Sequence, residues 1–148
     1  MWVLMPMKIL DVDPLVICEV YTKEIRALLE LAVPAWHSGL TYKQSSDIER
    51  VQKVAVKIIL RDCTTMKCDF TYEMALVVLN LEPLYIRRER LCLSFAAKTL
   101  KGRHKNIFEE NQSNYETREK KRFTQTHCNT KRYYNSPVNY LTRLLNNR

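Results

Sequence analysis

Glycine is almost absent from this sequence: Gly39 and Gly102 are the only two in 148 residues, against an ordinary share of about 7%. A P-loop needs two glycines within one short loop ahead of Lys-Ser or Lys-Thr, and a G-x-G-x-x-G turn needs three. Gly39 and Gly102 lie far apart and neither precedes such a pair, so neither phosphate cradle exists here. Tight hairpins lean on glycine too, which argues against a hairpin-rich β fold. No apolar run approaches the roughly 20 residues that span a bilayer. The opening stretch 1–10 is apolar but lacks a basic leading region and a small-residue cleavage site, so it does not read as a signal peptide.

Cysteine is sparse and odd in number, with Cys18, Cys63, Cys68, Cys92 and Cys128 at irregular intervals. A secreted disulfide scaffold wants an even, denser set, so free thiols in a reducing, intracellular compartment are expected, nuclear or cytoplasmic. The length fits one domain of ordinary size. What the chain does have is basic charge, 24 Lys and Arg against 16 Asp and Glu, unevenly placed. Residues 1–100 hold 13 basic and 12 acidic side chains; residues 101–148 hold 11 and 4, a net of +7. Such an appendage points to nucleic acid or another polyanion, and a solvated tail with no partner is the plainer alternative.

Helical spacing organises the body. Asp13-Pro14 opens a helix over 14–32, Asp as the cap and Pro at the first position. Leu15, Ile17, Val20, Tyr21, Ile25, Leu28, Leu29 and Ala32 recur at helical intervals, and Val33-Pro34 stops them. Thr41-x-x-Gln44 has capping-box spacing ahead of a helix over 42–60. Ile48, Val51, Ala55, Ile58 and Ile59 share one side of it, while Arg50, Lys53, Lys57 and Arg61 form a positive rail roughly opposite. Thr71 caps a short helix over 72–79, and Asn80 sits where a helix end tolerates the left-handed conformation. After Pro83, a helix over 84–100 shows the stripes Leu84, Leu91, Phe95 and Ile86, Leu93, Leu100, with Arg88 inside the first. Residues 101–135 are too polar to build their own core, and Ser136-Pro137 starts a last short helix.

Catalytic chemistry finds little support. Asp11-x-Asp13 is the only close aspartate pair, Asp13 is spent as a cap, and two-metal phosphoryl transfer needs converging carboxylates backed by a third acid. Cys63-x4-Cys68 with His127-Cys128 could be assembled into a zinc site, but the spacing is loose and buried thiols are the better reading. A cysteine nucleophile beside His37 or His104 lacks an orienting partner. The rail can follow phosphates by charge and reach alone, although a solvated helix face is what most such stripes are.

Several ordered blocks resemble the segment after the polymerase palm in non-LTR (LINE-type, jockey-like) retrotransposon reverse transcriptases. They are Val20-Tyr21-Thr22, Ile25-Arg26-x-Leu28-Leu29-Glu30-x-Ala32-Val33-Pro34-x-Trp36-His37, and Leu40-Thr41. The similarity runs on through Asp47–Lys53 and Ile58-Ile59-Leu60, then Tyr72-Glu73-x-Ala75-Leu76, Leu79–Leu84 and Arg87–Leu91. Arg132-Tyr133 and Ser136-Pro137-Val138-x-Tyr140–Asn146 look like the carboxyl end of such a polyprotein. The match spans about 12–148 and is poorest over 102–130. Departures are Asn80 where the family usually has glycine, and Met74 and Tyr85 at helix starts. No Asp-Asp pair occurs, so the resemblance implies a thumb-and-tail part without the polymerase centre.

The expected fold is all-α: a small helical bundle of about four helices over 1–100, thumb-like, then an irregular basic tail over 101–148. The expected function is a non-catalytic remnant of an RNA-directed DNA polymerase with residual sequence-nonspecific nucleic-acid binding. Its phosphate contacts are assigned to Arg50, Lys53, Lys57 and Arg61, with Lys120, Lys121, Arg122, Lys131 and Arg132 behind them. The alternative is a helical protein-interaction module, and self-association through surface left by the absent palm belongs with it. No cofactor, metal, membrane or small-molecule substrate is expected. Two structural expectations concern single residues. Arg88 is expected buried and paired with Glu30 or Glu49, and Trp36 packed in the helical core.

Overall fold

The computed structural model describes residues 3–60, 71–112 and 121–147. They are helical with no strand among them; a lone antiparallel bridge joins Glu110 to Phe123. The all-α expectation holds. The chain forms two compact units, 1–31 with 41–87, and 32–40 with 88–148. The expected division at residue 100 does not coincide with them.

In the first unit, α1 (Leu4–Ile9) has no counterpart among the helices expected from spacing. It buries Leu4 and packs Met7 against the core. Its end is a left-handed turn at Asp11, where the Val12 amide donates to the Met7 carbonyl at 3.1 Å. Then comes α2 (Pro14–Val20), capped as expected: the Leu15 amide donates to Asp13 Oδ1 at 2.7 Å. A wider π turn over Tyr21–Ile25 leads into α3 (Arg26–Glu30). That extra residue shifts the register of everything after it, and Leu28, placed on the apolar stripe by spacing, is 74% exposed. Ala32 then adopts a left-handed φ of 53°. Pro34 lies in the first turn of α4 (Val33–Trp36) instead of simply ending the helix before it.

Also in the first unit are α5 (Tyr42–Ile59) and α6 (Tyr72–Val78). Both capping threonines work: the Gln44 amide donates to Thr41 Oγ1 at 3.3 Å and the Met74 amide to Thr71 Oγ1 at 3.4 Å. The core joins Leu4, Ile17 and Tyr21 to Val56, Ile59 and Leu76. The two units divide within α7 (Leu84–Lys101). Its buried positions are Leu84, Arg88, Cys92 and Ala96, one every four residues, while Phe95 is 49% exposed. The buried ridge therefore follows the four-residue row of the helix, not the stripe through Leu91 and Phe95.

The second unit has its own core of Val33, Cys92, Ala96, Phe108, Phe123 and Leu141. Two short helices close the chain, α8 (Lys131–Tyr134) and α9 (Pro137–Asn146). The region 101–148 is thus not merely a tail. It contributes two large aromatics and α9, and draws the rest of its core from α4 and α7.

Candidate nucleic-acid interface

On α5 the capping box sets the start, and the burial of Ala55, Val56 and Ile59 sets the inward side. Arg50, Lys53 and Lys57 are then left exposed. Lys53 Nζ stands 5.2 Å from the centre of the Tyr72 ring, close enough for cation–π attraction. Lys53 and Lys57 also edge a cleft of about 260 Å³ floored by Val56, Leu60 and Ala75. Arg61, the fourth member of the rail, lies outside the described residues, as do Cys63 and Cys68.

Beneath this face is a polar knot that spacing did not reveal. Gln52 is fully buried. Its Oε1 accepts from the Tyr21 hydroxyl at 2.9 Å, and its Nε2 donates to the Tyr72 hydroxyl at 3.1 Å and the Glu82 carbonyl at 2.9 Å. The Tyr72 hydroxyl in turn donates to Glu49 Oε1 at 2.7 Å. Burial first, then the bond to Glu49, pushes the Tyr72 hydroxyl well above the ordinary phenol range, and burial does the same for Tyr21. Both remain donors at any physiological pH. The network fixes how α5 rolls against its neighbours, and so which side carries the cations. The only sequence signal was a glutamine between Val51 and Ala55 on the greasy arc.

In the second unit Arg88 is 1% exposed. Of the acids expected beside it, Glu30 is engaged in its own unit by Arg87, with Arg26 at 3.3 Å. Glu49 accepts from Tyr72 and from the Leu84 amide at 3.3 Å. His37 stacks edge-on against Tyr140 at 5.5 Å. Burial, reinforced by the Arg88 charge, holds its imidazole below the usual range. Trp36 is half-buried and packs against this unit's core.

Four of the cations assigned to phosphate contacts in 101–148, Lys121, Arg122, Lys131 and Arg132, fall into two places. Lys121 donates to Gln125 Oε1 at 2.9 Å, and the Arg122 guanidinium lies 5.1 Å from the Phe123 ring centre. Phe123 is anchored to α9, its amide donating to Asn146 Oδ1 and its carbonyl accepting from Asn146 Nδ2, both at 2.9 Å. Lys131 and Arg132 instead edge a cavity of about 680 Å³ shared with Trp36. Lys120 lies outside the described residues.

Charge divides sharply between the units. Residues 1–31 and 41–87 carry 10 Lys and Arg with 11 Asp and Glu, a net of −1. Residues 32–40 and 88–148 carry 14 and 5, a net of +9. Among the described residues no three His, Cys, Asp or Glu side chains come together to hold a metal, and no helix is long and apolar enough to cross a membrane. No family model matches the chain, and no curated protein or solved structure matches it either.

Proposed function

We propose that this chain binds nucleic acid through its phosphates, without reading bases and without catalysis, as a thumb-and-tail part akin to those of non-LTR retrotransposon reverse transcriptases. The observation that carries this reading is the segregation of charge, a net of +9 on the second unit against −1 on the first. A surface so biased attracts a polyanion by counterion release, which needs no sequence contacts. The exposed Arg50, Lys53 and Lys57 of α5 supply a second, smaller row. The retrotransposon kinship rests on the sequence blocks alone.

Binding of labelled duplex and single strand across a salt series tests it. With about five phosphates engaged, log K falls against log salt with a slope near −4.5. Affinity then drops several hundred-fold between about 50 and 200 mM salt. Primer extension stays at background with any divalent metal, since no Asp-Asp pair is present to hold two ions. A salt-insensitive complex, or binding that prefers one sequence, rejects the proposal.

One observation favours a second reading, a protein-docking module. Val77 is 80% exposed, and Ile9, Leu10, Leu28 and Leu31 of the same unit are exposed as well, each a large apolar side chain that a docked partner would cover. Concentration-dependent light scattering that Leu28→Lys or Val77→Lys abolishes, with no nucleic acid bound at any salt, would select it.

A further inference from the structure

We propose that the cavity between the Trp36 turn and α8 holds a nucleoside 5′-phosphate, with the base against the indole and the phosphate at Lys131 and Arg132. The inference rests on the nucleic-acid reading for its class of ligand and adds a place where one nucleotide is gripped individually.

The cavity, an open cleft of about 680 Å³, lies wholly within the second unit and falls in the volume range of small-ligand sites. Its wall contains Trp36, Ser38, Lys131, Arg132, Tyr133 and Ser136, and no aspartate or glutamate. Neither Lys131 nor Arg132 makes a side-chain hydrogen bond or ion pair among the described residues, so both charges are available. An arginine fork beside a lysine suits a phosphate: the fork bonds two oxygens at once, and the ammonium adds a point charge.

The hydroxyls point the same way. Ser38 lines the cleft, and its Oγ, buried behind the lining, has no hydrogen-bond partner, so a small side-chain rotation toward a bound ligand would satisfy it. Ser136 begins α9 but its side chain makes no capping bond, leaving a second donor at the rim. Trp36 and Tyr133 are the aromatic residues of its lining. Inorganic phosphate would use only the cations, and a bare aromatic only the rings. A nucleotide uses both, and the pairing of stacking platform with basic groove is how single strands are held without sequence preference. The other large cavity of this unit, about 730 Å³, is lined by Glu109 and Glu110 beside Arg122 and lacks that bias.

The test titrates the full chain with a nucleoside 5′-monophosphate, the unphosphorylated nucleoside and inorganic phosphate, following tryptophan emission and the Trp36 indole resonance. The monophosphate should quench emission and shift that resonance, while nucleoside or phosphate alone binds at least tenfold more weakly. Lys131→Gln with Arg132→Gln should weaken the monophosphate at least tenfold, and Ser38→Ala about threefold. Trp36→Phe should remove the quench; if that variant fails to fold, the indole resonance of the parent still decides. A short single strand bearing a 5′-phosphate, bound tighter than the monophosphate, would mark a strand end as the source, and equal affinity a free nucleotide.

A response to phosphate alone as strong as to the nucleotide, or none that Lys131 and Arg132 control, overturns the inference. If duplex binding keeps its salt slope while the cavity stays silent, this inference alone fails. If the cavity responds while duplex and strand go unbound at every salt, the nucleic-acid reading alone fails.

Discussion

Gln52 carries the polar load of the first unit's interior, satisfying two phenols and a backbone carbonyl. Gln52→Ala leaves a cavity and strands the buried Tyr21 hydroxyl, so it should cost about 3 kcal/mol in a denaturant titration; a loss below about 1 kcal/mol would mean the network is loosely held. Arg88→Ala empties a large buried site and should cost about 3 kcal/mol by the same measurement. Trp36 is only half-buried, so Trp36→Ala should cost about 2 kcal/mol, below the roughly 3–5 of a fully enclosed indole. His37 links the fold to pH. Its native value lies below the ordinary 6.5 because burial and Arg88 disfavour the cation, so the unfolded chain binds its proton first. Its contribution is therefore complete above about pH 6.5 and is lost as pH falls below it. Melting curves of the parent should decline over that acid range more steeply than those of His37→Gln; parallel curves would remove His37 from the account.

At the scale of elements, helix ends decide where the chain turns. After α6 the Leu81 amide donates to the Leu76 carbonyl at 2.8 Å and the Asn80 amide to the Val77 carbonyl at 3.1 Å, with Asn80 at φ 51°. Leu76 and Leu81 both pack in the core, so the left-handed turn closes a hydrophobic contact as well as two carbonyls. Asparagine tolerates that conformation and alanine does not, hence Asn80→Ala should lose about 1 kcal/mol and Asn80→Gly should not. Equal melting temperatures for the two variants would show the turn relaxing. The legible parts of the fold were these local ones: the Asp13, Thr41 and Thr71 caps and the ends of α5 and α7 are written in neighbouring residues. The π turn at Tyr21–Ile25 was not, because one extra residue per turn leaves no composition signal, yet it moves Leu28 into solvent.

For the whole molecule, the division of charge sets the expectation for binding. Replacing Arg50, Lys53 and Lys57 with glutamine removes cations from a unit of net −1, whereas Lys121, Arg122, Lys131 and Arg132 belong to one of net +9. Removing a cation that truly pairs with a phosphate flattens the salt slope by about one unit. The second set should therefore flatten the slope of duplex binding more than the first, and the reverse order would place the main interface on α5.

Composition and spacing by themselves determined the helical class, the caps and the exposed cationic row of α5, since each depends on residues within a few positions of one another. Only the tertiary structure decided that Phe108 and Phe123 share a core with Val33 and Cys92, or that Trp36 meets Lys131 and Arg132 around one cavity. Those partners lie far apart along the chain, and no local pattern encodes which distant apolar surface a polar segment will borrow. Burial is a property of the packed whole, which is why the same sequence that announced a basic tail could not announce its core.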